Sequence, residues 1–153
     1  MNVAREQEHE SATANLRRLV SFLASALDVR YAFVSTPRPS LAAPQVRMSL
    51  WLARDYGLRS QLAEVDFVPA SGVPSHLDVL SILRGSWPDE VDLAGLDHSH
   101  VVSLLLLARS GEVVGHMGIV DPEGRRVRSG AELLRPLAKR AAAELERWVA
   151  NRR

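Results

Sequence analysis

Cysteine is absent from the 153 residues, which removes disulfides, thiolate metal sites and thiol catalysis together. Lysine is nearly absent: of the nineteen basic residues only Lys139 is not arginine. With the abundant alanine and leucine, this points to a GC-rich bacterial source and to nothing functional. Charge of one sign is missing as well. The formal net charge is +1, so no global field draws the chain to nucleic acid or to a membrane. No apolar run approaches the roughly 18 residues of a membrane span. The opening stretch MNVAREQEHESATA is charged and has no apolar region of the secretory type, so a cytoplasmic location is expected. Aromatic residues make up only 5% of the chain, and the few present are correspondingly informative about where a core or a pocket lies.

What remains is ordinary for a soluble globular domain: 46% hydrophobic and 24% charged residues. A chain of this length forms one domain and buries roughly 70% of its unfolded surface, enough for a core without staples. We read residues 1–10 as a flexible N-terminal arm and 11–153 as a single domain. From 11 to 28 the residues Leu16, Leu19, Val20, Leu23 and Leu27 recur at helical spacing. YAFVSTP (31–37) reads as a strand. QVRMSLWLA (45–53) alternates, with Leu50 and Leu52 assigned to the face covered by the terminal helices and Trp51 to the opposite face. LRSQLAEVDF (58–67) is a third, looser strand.

Ser75 can cap a short helix, with Asp78 three positions on completing a capping box. Leu77, Leu80, Ile82 and Leu83 are expected on its buried side and Gly85 at its end. SWPDEVDLAGLDHS (86–99) is a loop with room for one helical turn. HVVSLLLLA (100–108) and EVVGHMGIVD (112–121) are apolar strands joined by the short connection RSGE. A long helix closes the chain over 129–153, with Ser129 and Glu132 as a second capping pair. Pro136 is expected to kink that helix or to mark its true start. The order predicts an α+β domain: an antiparallel sheet of five to six strands, N- and C-terminal helices packed on one face, and the 69–99 segment over the other. A sheet roofed by an irregular segment tends to leave a ligand-sized cavity.

This layout resembles a GAF domain, the small sensor module of bacterial signalling proteins. The resemblance runs from about Leu16 to Trp148. It is carried by VVSLLLLARSGEVVGHMGIVD, SALDVRYAFVS and LLRPLAKRAAAELER, with VPSHLDVL where many members have a short helix beside the pocket. These are patterns of hydrophobic spacing. The resemblance implies a sensor or regulatory domain that binds a small molecule over the sheet and forms homodimers through its terminal helices. It also implies an output domain, fused or separate, on which the sensor acts. The chain departs from the family's better-defined branches. It has no cysteine for a bilin chromophore or for reduction of free methionine sulfoxide, and no match to the Asn-Lys-Phe-Asp-Glu pattern of cyclic-nucleotide-binding members. A fold of this kind does not choose its ligand.

The candidate pocket residues are Trp51, Phe67, His76, Trp87, His100 and His116. His116 stands within an apolar strand, where it can line a pocket or be a hydrogen-bonded core residue. His76, near the start of the short helix, can face a ligand or face water. His98, His100, Asp97 and His116 can be drawn as a metal site, but an i, i+2 pair lacking a third ligand at known spacing does not define one. No metal or cofactor is expected. No G-x-S-x-G elbow, H-E-x-x-H helix or phosphate loop is present, so the chain is not expected to be an enzyme. Leu16, Leu23, Leu137, Leu145 and Trp148 are the candidates for a dimer interface; the alternative is that all of them pack on the sheet. A ligand-free GAF-like module acting only in dimerisation or protein interaction is the runner-up function.

Overall fold

Helix α1, Val3–Ala26, ends in a left-handed closure. Asp28 takes φ 53°, and the Val29 and Asp28 amides bond back to the Ala24 and Ser25 carbonyls. This is the Schellman arrangement, with aspartate in the position usually given to glycine. The closure turns the chain directly into strand β1 (Tyr31–Arg38), followed by β2 (Arg47–Asp55) and β3 (Ser60–Phe67). Helix α2 (His76–Ser86), two short 3-10 turns (Val91–Gly95 and His98–His100), the hairpin β4 (Val101–Leu107) and β5 (Val113–Val120), and helix α3 (Gly130–Ala150) complete the domain. The computed structural model describes residues 3–38, 47–55, 60–69, 75–125 and 130–150. Residues 3–10, expected as an arm, are the first turns of α1.

The strands form one antiparallel sheet in the order β3-β2-β1-β5-β4. Alternation along each strand creates two cores. On one face α1 and α3 cover Ala32, Val34, Trp51, Ala53, Leu106, Met117 and Ile119. On the other, α2 and the first 3-10 turn cover Tyr31, Phe33, Leu50, Leu52 and Val120. The α+β architecture therefore has terminal helices on one side and the α2 segment on the other.

The register corrects the assignment of β2. Phe33 pairs with Leu52 and Val34 with Trp51, so Leu50 and Leu52 face α2 whereas Trp51 faces the terminal helices. Alternation specifies which residues share a face but not which layer covers it. Trp51 stacks edge-on against Trp148 of α3, with ring centres 5.0 Å apart. Its indole N–H donates to Glu64, which also pairs with Arg17 of α1.

The dimer-interface candidates are corrected for a related reason. Leu16, Leu23 and Leu145 are wholly buried in the core beneath the terminal helices, as is all but 3% of Trp148. Leu137 is half-buried against the same cluster. Two helices lying side by side on five strands have enough sheet and enough of each other to absorb the whole stripe. Nor does Pro136 break α3, which begins well before it. Its ring faces solvent, while Leu134 and Ala141 hold the helix down on either side. Ser129 lies outside the described residues.

Helix α2 begins with the expected capping box. The Asp78 amide bonds to Ser75 Oγ, and the Asp78 carboxylate accepts from the Ser75 amide. Its buried stripe is Val79, Leu80 and Leu83, with Leu77 a quarter-turn away and 62% exposed, contrary to expectation. The helix passes Gly85 to Ser86, with Trp87 as its C-cap. Ser75→Ala is expected to destabilise the domain by about 1 kcal/mol in urea unfolding; an unchanged midpoint would show that the cap does not hold α2 in place.

Candidate functional site

On the α2 side of the sheet, β1 and β5 lie together in the register Phe33 opposite Gly118 and Ser35 opposite His116. Ser103 of β4 is opposite Gly118 on its other side. Gly118 is required here, since a Cβ would stand 2.5 Å from the Val102 carbonyl oxygen and 2.6 Å from the Phe33 ring. The glycine leaves room for the far edge of the phenyl ring against β5, making an apolar floor between polar side chains. The first turn of α2 hangs above this floor and brings Ser75, His76 and Val79 over it. A cavity of about 260 Å³ remains between helix and sheet.

His76 turns into this cavity rather than out to water. Its Nε2 lies 2.8 Å from Ser103 Oγ. Burial holds its pKa below the ordinary value of 6.5, nearby His98 adds to the lowering, and the His98 backbone partly opposes it. His116 is lowered too, first by burial and then by His76. Both rings are therefore neutral at about pH 7, each with one donor and one acceptor nitrogen. The His116 ring makes no hydrogen bond with any described residue. Ser35 is 4% exposed and lines the cavity, and its hydroxyl likewise has no hydrogen-bond partner among the described residues.

These shifts fix the sign of a pH effect. In the unfolded chain the imidazoles regain their ordinary value and take up protons first as pH falls. Their contribution to stability is thus complete above about 6.5 and is lost as pH drops through that value toward the lower folded ones. The urea midpoint is expected to fall between about pH 7.5 and pH 5.5, with a shallower fall in His116→Phe. Identical slopes for the two proteins would remove His116 from the buried, neutral state described here.

The remaining sequence candidates lie elsewhere. Trp51 lines a separate hollow of about 310 Å³ with Thr13, Glu64 and Trp148. Trp87 is buried against Tyr31 and lies beneath the Arg54 guanidinium, 4.9 Å from its ring centre. Arg54 in turn bonds to Glu90 at 2.7 Å and to Gln61. This group fastens the segment after α2 to the sheet and does not line the cavity. Phe67 packs on the edge of the same core. His100 belongs to a 3-10 turn before β4 rather than to the strand, and its Nδ1 accepts from the Asp97 amide. Among the described residues no group of three or more histidines and carboxylates meets in a geometry that could hold a metal ion.

Of the six pocket candidates, the fold brings together His76 and His116. It adds Phe33, Ser35, Ser75, Val79 and Ser103, none of which sequence reasoning assigned to a pocket. A faint signal existed: Tyr31, Phe33 and Ser35 alternate onto one face of YAFVS, and Ser103 interrupts the apolar run of β4. No helix among the described residues is long and apolar enough to cross a membrane. Compared with protein-family models, curated proteins and solved structures, the chain has no match.

Proposed function

We propose that the chain is a GAF-like sensor or regulatory domain of the bacterial cytoplasm that binds a small molecule between α2 and the sheet and has no catalytic activity of its own. The observation that carries this reading is the convergence of two neutral histidines and a serine whose hydroxyl has no hydrogen bond among the described residues on one cavity with an aromatic floor. Pockets that bind small molecules have this composition, an apolar lining with a few convergent polar groups. Ligand binding would reach an output domain through α2, whose N-terminus forms the roof.

The test is native mass spectrometry on gently purified protein against its denatured mass. Extra mass that disappears on denaturation, and that is missing from a Ser103→Trp variant with the cavity filled, is the expected result. Retention of the same mass by the filled variant would move the ligand away from this cavity.

The second reading, a ligand-free module acting through self-association or protein interaction, has a different observation in its favour. Phe22 on α1 is 55% exposed, an aromatic side chain on the helical face that the buried leucines leave uncovered. If the chain dimerises there, light scattering will give a concentration-dependent mass that Phe22→Glu returns to that of one chain.

A further inference from the structure

The cavity also constrains the chemistry of what it holds. Resting on the small-molecule reading above, we infer that its ligand is a compact uncharged ring bearing a carboxamide or similar amide edge, clamped between Ser35 and His116.

Size comes first. An enclosed apolar cavity of about 150 Å³ takes benzene; the space here is about 260 Å³ and opens to solvent, so a single substituted ring fits with its far edge toward water. The Phe33 ring and Val79 offer that ring apolar contact.

Charge comes second. No arginine, lysine, aspartate or glutamate lines the cavity among the described residues. Asp78, next to the lining residue Val79, is buried at the N-terminus of α2 and already accepts from both the amide and the hydroxyl of Ser75. Its negative charge offsets the positive end of the helix, which would otherwise favour an anion. A charged group placed against the Phe33 floor would give up part of its hydration and meet no opposite charge among the described lining residues, whereas an uncharged group gives up less. The two imidazoles are neutral at about pH 7 and do not alter this balance.

Hydrogen bonding decides the rest. Ser75 spends its hydroxyl proton on Asp78, and Ser103 is engaged with His76. That leaves Ser35 and His116, which oppose each other across β1 and β5 and whose side chains have no hydrogen bond among the described residues. Side chains so paired stand about 5 Å apart at Cβ. Each can either donate or accept, so together they match a group presenting one acceptor and one donor side by side. A carboxamide is the simplest such group. Both groups reach the open cavity, and an amide edge would take up the hydrogen bonds of both at once.

The test uses the whole chain, isotope-labelled, in amide NMR titrations at about pH 7.5 with benzamide, benzoate, benzylamine and toluene. Benzamide is expected to shift the Phe33, Ser35 and His116 resonances saturably, with benzoate and benzylamine at least about tenfold weaker. Ser35→Ala and His116→Phe should each weaken benzamide about three- to tenfold while leaving toluene unaffected, the loss of one hydrogen bond. Benzoate or benzylamine binding as tightly as benzamide would overturn the choice of an uncharged amide and leave the cavity reading standing. So would benzamide binding that neither substitution weakens. If none of the four probes, toluene included, moves these resonances, the small-molecule reading falls along with the amide.

Discussion

Replacing Trp148 with alanine is expected to destabilise the domain by about 3–5 kcal/mol. The indole is 3% exposed and joins three elements: α3 carries it, Trp51 of β2 meets it edge-on at 5.0 Å, and the His9 ring of α1 lies 5.4 Å away. Aromatic pairs in this geometry add to the burial itself, and the void left behind has helices on two sides that cannot both collapse into it. Against a total stability of about 5–15 kcal/mol for an ordinary domain, this is a large fraction. Urea unfolding followed by far-UV circular dichroism measures it. The same variant decides between two roles for the tryptophan. If Trp148 belonged to a dimer interface, W148A would lower the associated mass with little change in the stability of each chain. A loss below about 1 kcal/mol would mean that α3 is not docked on Trp51 as described.

Gly115→Ala is expected to be nearly as damaging, through excess volume rather than a void. A Cβ at this position would stand 2.2 Å from the Ser35 carbonyl oxygen and 2.7 Å from Leu145 Cδ1. Leu145 can move a little, but the carbonyl belongs to the adjacent central strand and cannot do so without parting β1 from β5. Overpacking ordinarily costs about 1–3 kcal/mol, and a clash with backbone belongs at or above the top of that range. Ser35 and His116 flank the displaced bond, so the cavity should lose its clamp at the same time. Gly85→Ala is the control. It lies in α2 with nothing within 4 Å of its added carbon, and should leave stability equal or raise it by about 0.5–1 kcal/mol. If both alanines behaved alike, close approach at β5 would not be the reason for Gly115.

The legible part of this fold was the part written in local periodicity. α1, α2 and α3 announce themselves by 3.6-residue spacing, and α2 by the Ser75–Asp78 box. The β4–β5 hairpin is marked by Gly111, which takes φ 88° in the connection. Such signals depend on residues within one turn or one strand of each other, so the sequence carries them directly. The candidate site was less legible. His116 was visible because a histidine in an apolar strand is conspicuous, whereas Ser35 and Ser103 were not, because serine is unremarkable in any strand. Their significance comes from a register that places Ser35 beside His116 and a helix that carries His76 to Ser103.

By itself the sequence determined the class: an antiparallel α+β domain closed by two terminal helices, without disulfides and without a membrane-spanning helix among the described residues. Only the tertiary structure decided which face of β2 the terminal helices cover. That choice moved Trp51 from the pocket to the core, sank the leucine stripe and Trp148 into the domain, and gathered His76 and His116 over Phe33. The reason is physical. Alternation along a strand divides its residues into two sets, but both sets here are apolar enough to be buried, so the strand alone does not say which layer each will meet. That is settled by the packing of helices against both faces at once, an interaction between residues far apart in the chain.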